Sequence, residues 1–222
     1  MLNERKITVI IPAYNEAERL PRVLEKIPDF VDEVIVVDDG SSDGTYEVAE
    51  AFSKRDRRIK VIRLEKNCGK GCAMREGIKH SSGDVVVFMD ADGQHKPEEI
   101  IKLVEPIMRG EADMVIGARK VEEAGKRPIH RRLSNIITTR LIRLKLKQYV
   151  YDTQSGFRAY RREFLPSIES DRYEVETEML IKAAKMGARI REVPVGMIYD
   201  PNREGRFGIR DVFRFIWAYL KF

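Results

Sequence analysis

What the chain lacks narrows it quickly. No apolar stretch approaches the roughly 20 residues that cross a bilayer, and the opening "MLNERKI" has nothing of a secretory leader. The expectation is a soluble protein that stays in the cytoplasm. Cysteine is scarce: two in 222 residues, Cys68 and Cys72 in "NCGKGCAM", without the further Cys or His that a zinc site would need nearby. They are expected to be free thiols. The three histidines, His80, His95 and His130, are scattered and form no catalytic pattern. Both common phosphate cradles are missing as well. No G-x-G-x-x-G follows the first strand pattern, and "NCGKGCA" is not G-x-x-x-x-G-K-[ST], which disfavours a dinucleotide dehydrogenase and a P-loop NTPase.

What is present is a regular alternation. With 43% hydrophobic and 35% charged residues and no repeat, linker or low-complexity tract, the chain suits one core. "ITVIIP" reads as a strand, followed by a helix through "AERLPRVLEKI" in which Pro21 fits only near the first turn. "DEVIVVDDGSSDGT" gives a second strand ending in a turn, and "YEVAEAFSK" a helix. "IKVIRL" and "GKGCAMREGIKH", then "DVVVFMD" and "PEEIIKLVEPIM", repeat the unit before a fifth strand, "ADMVIGAR". Such a series predicts an α/β fold with a mostly parallel central sheet and helices on both faces.

In open sheets of this kind ligands sit at the carboxyl ends of the strands. Here those ends are chemically loaded: "PAYNE" after the first, Asp38 and Asp39 after the second, Asp90 and Asp92 after the fourth, Arg119 at the fifth. If "DADGQ" stays extended, Asp90, Asp92 and Gln94 project to one side and His95 to the other. Three oxygen donors without cysteine favour Mg²⁺ or Mn²⁺ over zinc. A nucleotide diphosphate would then be neutralised by a cation in place of a glycine cradle. Taken alone, Asp-Gly also reads as a turn pair.

The ordered set "VIIPAYNE", "VIVVDDGSSDGT", "NCGKGCAMREG", "GDVVVFMDADGQHKPEEI" and "DTQSGFRAYRRE" resembles the family 2 glycosyltransferases of the GT-A, Rossmann-like fold. Within them the likeness is to the polyprenyl-phosphate sugar synthases of the dolichyl-phosphate mannose type, over about residues 6 to 205. The resemblance implies an inverting transfer from a nucleotide sugar, GDP-mannose or UDP-glucose, to a polyprenyl or dolichyl phosphate. It places Pro12, Tyr14, Glu16, Asp38 and Asp39 in the base and ribose pocket, with Lys70 and Ala91 also in the donor set. Asp90, Asp92 and Gln94 fall at the metal and diphosphate site, and Arg119, Arg131, Arg132 and Ser134 at the lipid phosphate. Arg203 matches an arginine of a late closing loop, although "EGRFGIRD" lacks the serine and lysine that often follow it. Asp152 and Arg158 in "DTQSGFR" are expected to organise the acceptor pocket, with shaping of a turn as the other reading. The "Q-x-x-R-W" signature of polysaccharide synthases is absent.

Chemistry agrees with that reading. A phosphate monoester with its second pKa near ~6 is already an anionic nucleophile at neutral pH, so no strong general base is required. Charge supplies the second sign. From Arg119 to Lys147 there are ten Lys/Arg against two acids, a local +8, leaving −3 for the rest of a chain of net +5. This segment suits a lipid phosphate and an anionic membrane surface; nucleic acid is not expected, because no aromatic residue or recognised motif accompanies the charge. The ending, 208–222, reads as an amphipathic helix beyond a catalytic domain of 1–207. It would lie on the cytoplasmic face of a membrane or against the core or a partner subunit, itself membrane-embedded if the anchor is borrowed. A metal-dependent nucleotidyltransferase, and a non-enzymatic subunit that recruits a partner to membranes, remain the competing classes.

Overall fold

The computed structural model describes residues 5–119, 150–172, 174–198 and 219–222. Seven strands form one sheet: β1 (Ile7–Ala13), β2 (Glu33–Asp38), β3 (Ile59–Arg63), β4 (Val85–Phe88), β5 (Met114–Arg119), β6 (Arg158–Arg161) and β7 (Ile190–Val195). Their spatial order is β3-β2-β1-β4-β6-β5-β7. All neighbours are parallel except β6, which runs antiparallel to both β4 and β5.

The inner strands β1, β2 and β4 are buried on both faces because both faces are covered. Alternate residues serve opposite cores. Val9, Ile11, Val34, Val36, Val85 and Val87 join the core under α1 (Leu20–Leu24), α2 (Thr45–Ser53) and α4 (Ile100–Met108). Ile10, Ile35, Val37, Val86 and Phe88 join the core under α3 (Lys70–His80) and α5 (Val175–Lys185). Pro21 lies in the first turn of α1, where a missing N–H costs nothing.

The expected mostly parallel sheet is present, with two elements that the strand-helix alternation does not announce. β6 comes from the end of "DTQSGFRAYR" and wedges between β4 and β5, pairing Phe88 with Arg158 and Ile116 with Arg158. β7 extends the sheet beyond β5. The chain leaves β1 toward β2 and β3 and then returns to place β4 on the other side of β1. The carboxyl ends of β1 and β4 are therefore the topological switch point, where sheets of this kind bind ligands.

Two expectations are corrected by local geometry. Cys68 and Cys72 are disulfide-bonded, not free thiols. The entry into α3 puts residues four apart one turn above each other, with Cα atoms 5.8 Å apart, within the span a disulfide bridges. The stretch after β4 also does not stay extended. It turns at 91–93, with Gly93 at φ +70, and His95 forms a bridge with Met197. His95 is therefore buried in the domain, stacked on Phe157 at 5.0 Å between ring centroids.

Candidate active site

The loops after β1 and β2 are tied to one another. Asn15, at φ +55, donates its N–H to Ser41 Oγ and accepts from Ser42 N–H through Oδ1. Glu16 N–H donates to Thr45 Oγ1, and its carboxylate accepts from Arg19 at 3.1 Å, so Glu16 is buried against the start of α2. Pro12 pairs with Val37 within the sheet, and Tyr14 stands at the rim, 48% exposed.

Asp38 and Asp39 have different surroundings. Asp39 accepts from the N–H groups of Cys68 and Gly69 at 2.8 and 2.9 Å, which fastens the disulfide loop to the end of β2. Burial pushes its carboxyl pKa up, against the lowering effect of those two amides. Asp38 is fully buried; Oδ1 accepts from Ser41 N–H, while Oδ2 has no hydrogen-bond partner among the described residues and lies 3.5 Å from the Arg63 guanidinium. A buried carboxylate oxygen with no donor is costly unless something else supplies one.

At the switch point, Asp90 and Lys70 form an ion pair. Lys70, the first residue of α3, places Nζ 2.5 Å from Asp90 Oδ1 and 2.7 Å from Glu176 Oε1 on α5. Burial would lower its pKa, but the charges of Asp90 and Glu176 outweigh this and raise it, so the ammonium stays charged at neutral pH. Glycine makes the arrangement fit. A Cβ at Gly156 would stand 2.7 Å from both Asp90 Oδ2 and Lys70 Nζ, and one at Gly69, φ +100, would stand 2.3 Å from the Asp171 carbonyl oxygen. Asp92 accepts from Gln94 N–H at 2.9 Å across the turn, and Ala91 between the two aspartates is buried.

For a divalent cation the donor set fits in kind: Asp90, Asp92 and Gln94 offer oxygen only, and a cation already contacts Asp90 in the form of Lys70. Among the described residues no three His, Cys, Asp or Glu are grouped to hold a metal, so Gln94 and the phosphates of a ligand would have to complete the sphere. The buried His95 Nδ1 has no hydrogen-bond partner among the described residues, and burial lowers its pKa against the raising influence of the Asp90 and Asp92 charges.

Arg119 ends β5 as expected and is clamped by Asp152, which accepts from its Nε and Nη2 at 2.5 Å each and from its N–H at 3.2 Å. The Asp152 charge raises the Arg119 pKa against burial, and Asp90 and Glu176 lie close enough to contribute. Asp152 is itself fixed from behind, since Glu192 on β7 accepts from the N–H groups of Tyr151 and Asp152 at 2.8 Å each. Burial raises the Glu192 pKa.

Arg158, expected to organise the acceptor pocket or to shape a turn, has backbone oxygens as its hydrogen-bond acceptors. It is 2% exposed and donates to the carbonyl oxygens of Ser155, Glu176 and Thr153 at 2.6, 2.5 and 2.6 Å. It shapes the 153–155 turn and ties that turn to α5. Arg131, Arg132, Ser134 and Arg203 lie outside the described residues. Sequence reasoning missed Glu176 and Glu192. Glu176, in the first turn of α5, looks like ordinary compensation of a helix dipole, and Glu192 like the polar member of an alternating strand.

A sheet that is parallel but for one inserted strand, with carboxylates and cations at its switch point, matches the solved glycosyltransferases of the GT-A fold. Glucosyl-3-phosphoglycerate synthase from Mycobacterium tuberculosis, solved with Mn²⁺, UDP and glucosyl-3-phosphoglycerate, superimposes with a TM-score of 0.74 over 98% of this chain and 79% of its own, at 28% identity. Among curated proteins, the undecaprenyl-phosphate mannosyltransferase of Micrococcus luteus is 36% identical over 206 residues, 87% of this chain and 84% of that protein. The UDP-N-acetylglucosamine–dolichyl-phosphate N-acetylglucosaminyltransferase of Methanococcus voltae is 32% identical over 218 residues, 88% and 87% of the two chains. The Glycosyl transferase family 2 model matches residues 8–168. The chain belongs to family 2 of the glycosyltransferases.

Proposed function

We propose that this glycosyltransferase moves a sugar, mannose from GDP-mannose, onto a polyprenyl or dolichyl phosphate with inversion at the anomeric carbon. The observation that carries the reading is the presence at one end of the sheet of a guanidinium, Arg119 held by Asp152, and of the Asp90 and Lys70 cluster, with Asp90 close enough to act on the Arg119 charge. One position suits an acceptor phosphate and the other a donor diphosphate. The names of the Micrococcus and Methanococcus relatives, both transferases to polyprenyl-type phosphates, support this acceptor.

In this reading Asp38 and the loop at Tyr14 receive the base and ribose, while Asp90, Asp92 and Gln94 hold Mg²⁺ or Mn²⁺. When bound, that ion would neutralise charge on the departing diphosphate. Lys70 adds a second positive charge on the leaving-group side. Arg119, oriented by Asp152, holds the acceptor phosphate so that one of its oxygens faces the anomeric carbon. That oxygen is already anionic at neutral pH and needs no general base. Of the two described histidines, His80 lies exposed on α3 beside Glu76 and His95 is enclosed behind the aspartates.

Membrane attachment is proposed to be peripheral, through 119–147 and the C-terminal segment. No helix among the described residues is long and apolar enough to cross a membrane. At the very end, Tyr219 and Phe222 pack on the core, Lys221 pairs with Glu169 at 2.9 Å, and Leu220 is 75% exposed.

The test incubates the chain and Mn²⁺ with radiolabelled GDP-mannose, UDP-glucose or UDP-N-acetylglucosamine, with and without polyprenyl phosphate. Label is expected in organic extract only when the lipid phosphate is present, most from GDP-mannose, and Asp92→Ala is expected to abolish it while the circular dichroism spectrum is kept. Label passing instead to 3-phosphoglycerate would replace the lipid acceptor with a soluble one, and preference for a UDP-sugar would change the donor. Full turnover in excess chelator would remove the metal.

A further inference from the structure

Lys70 has two carboxylate partners, and one of them is an expected metal ligand. Its side chain is 17% exposed, Glu176 is 9% exposed, and Asp90 is the more open partner at 29%. The ammonium cannot retreat freely. Nζ occupies the space that a Cβ at Gly156 would fill, and the start of α3 is pinned by Gly71 N–H donating to the Asp171 carbonyl and by the amides of Cys68 and Gly69 on Asp39. A divalent ion that took Asp90 as a ligand would therefore meet a fixed positive charge close by.

We propose that the Lys70 ammonium, tethered by Glu176, is a resident counter-cation that competes with the divalent ion for Asp90. Lys70 keeps the carboxylate oriented while the site is metal-free and weakens metal binding until a nucleotide diphosphate brings compensating negative charge. Glu176 is the positioning residue that makes the exchange workable. When Asp90 turns to the metal, Lys70 keeps one anionic partner and stays beside the leaving-group phosphates, so metal and nucleotide bind together more readily than either alone. The inference rests on the metal assignment made above and adds an ordering to it.

The test measures Mn²⁺ binding to the folded protein without nucleotide, by calorimetry and by the electron paramagnetic resonance signal of unbound Mn²⁺. Lys70→Gln is expected to tighten Mn²⁺ by about tenfold or more, because a unit charge next to the site is removed. Lys70→Arg, which keeps the charge, is expected to stay within about threefold of wild type. Glu176→Gln is expected to weaken Mn²⁺ by about threefold or more, since the ammonium then has Asp90 as its remaining anchor among these two and the local negative charge falls. Adding UDP or GDP should tighten Mn²⁺ more in wild type than in Lys70→Gln. Unchanged or weaker Mn²⁺ binding by Lys70→Gln, with wild type binding normally, overturns the competition, as does equal tightening by Gln and Arg. If Lys70→Gln does not fold, Glu176→Gln decides, and tighter binding there refutes the proposal. Absence of Mn²⁺ binding in wild type with nucleotide present would instead remove the metal assignment, and the competition with it.

Discussion

Asp152→Asn isolates the clamp on Arg119 with the least change of shape. The wild-type carboxylate accepts three hydrogen bonds from Arg119, and the two side chains are only 19% and 8% exposed. Neutralising one member of a buried pair costs about 3–5 kcal/mol, because the other charge is left uncompensated. The amide still offers one oxygen, and Arg119 retains some contact with water, so the expected loss is at the lower end, about 3 kcal/mol. With an unfolding entropy near 2.1 cal/mol/K per residue, a 222-residue domain should then melt about 6 °C lower. The kinetic effect should be selective. A guanidinium no longer held at the end of β5 should raise the KM for lipid phosphate by about tenfold, a loss of about 1.4 kcal/mol, with the donor KM changed much less. Thermal melts by circular dichroism and initial rates with each substrate varied in turn supply both readouts. A variant that melts within about 1 °C of wild type would show that the pair is not a structural clamp. Equal rises in both KM values would move Arg119 to the donor side.

Gly156→Ala should lower kcat/KM about tenfold or more while costing about 1–3 kcal/mol of stability. The added methyl meets the ends of Asp90 and Lys70 at 2.7 Å, and those ends can move only by giving up their pairing. Rates compared with melting temperatures will show it, and an active variant with normal metal dependence would mean that the pair is dispensable. Glu33, at the opposite edge of the sheet, gives a stability test separate from the site. Burial would raise its pKa, but Lys60, Thr8 and Ser82 hold it at about 2. Its folded pKa lies below the ordinary value of 4.5, so its contribution, about 3 kcal/mol, is full above that value and is lost as pH falls toward 2. Glu33→Gln should remove that amount at neutral pH and flatten the acid side of a pH-stability profile measured by urea unfolding. An unaltered acid slope would assign acid lability to other carboxylates.

Much of the sheet is legible in the sequence because β1 to β5 follow the alternation of buried strand and amphipathic helix, where periodicity and length agree. β6 is not, because "RAYR" reads polar and its burial comes from lying between two strands already in place. Asp90, Asp92 and Arg119 stand out because each is a charge at or just beyond a strand end, where charge has no place without a ligand or a partner, whereas Asp152 is picked out by the "DTQSGFR" resemblance. The disulfide was misread on composition: two cysteines without further ligands suggested idle thiols, whereas their i and i+4 spacing at a helix entry is what brings them together.

Arg158 and Lys70 show why residue type alone does not separate scaffold from chemistry. Both are cations near the carboxyl ends of strands, and both approach Glu176. Arg158 donates to the Glu176 carbonyl and to two others, all of them backbone oxygens that cannot leave, so its hydrogen bonding is satisfied by the chain. Lys70 meets two carboxylates, side chains that can change partners when a ligand arrives. Asp39 and Asp38 repeat the distinction among the acids: one is satisfied by two amides of the chain, the other keeps a buried oxygen without a donor. Binding of a charged nucleotide requires groups whose partners can be exchanged, presented by groups whose partners cannot. By that criterion we propose Asp38, Asp90 and Lys70 for the chemistry, and Asp39 and Arg158 for the frame that presents it.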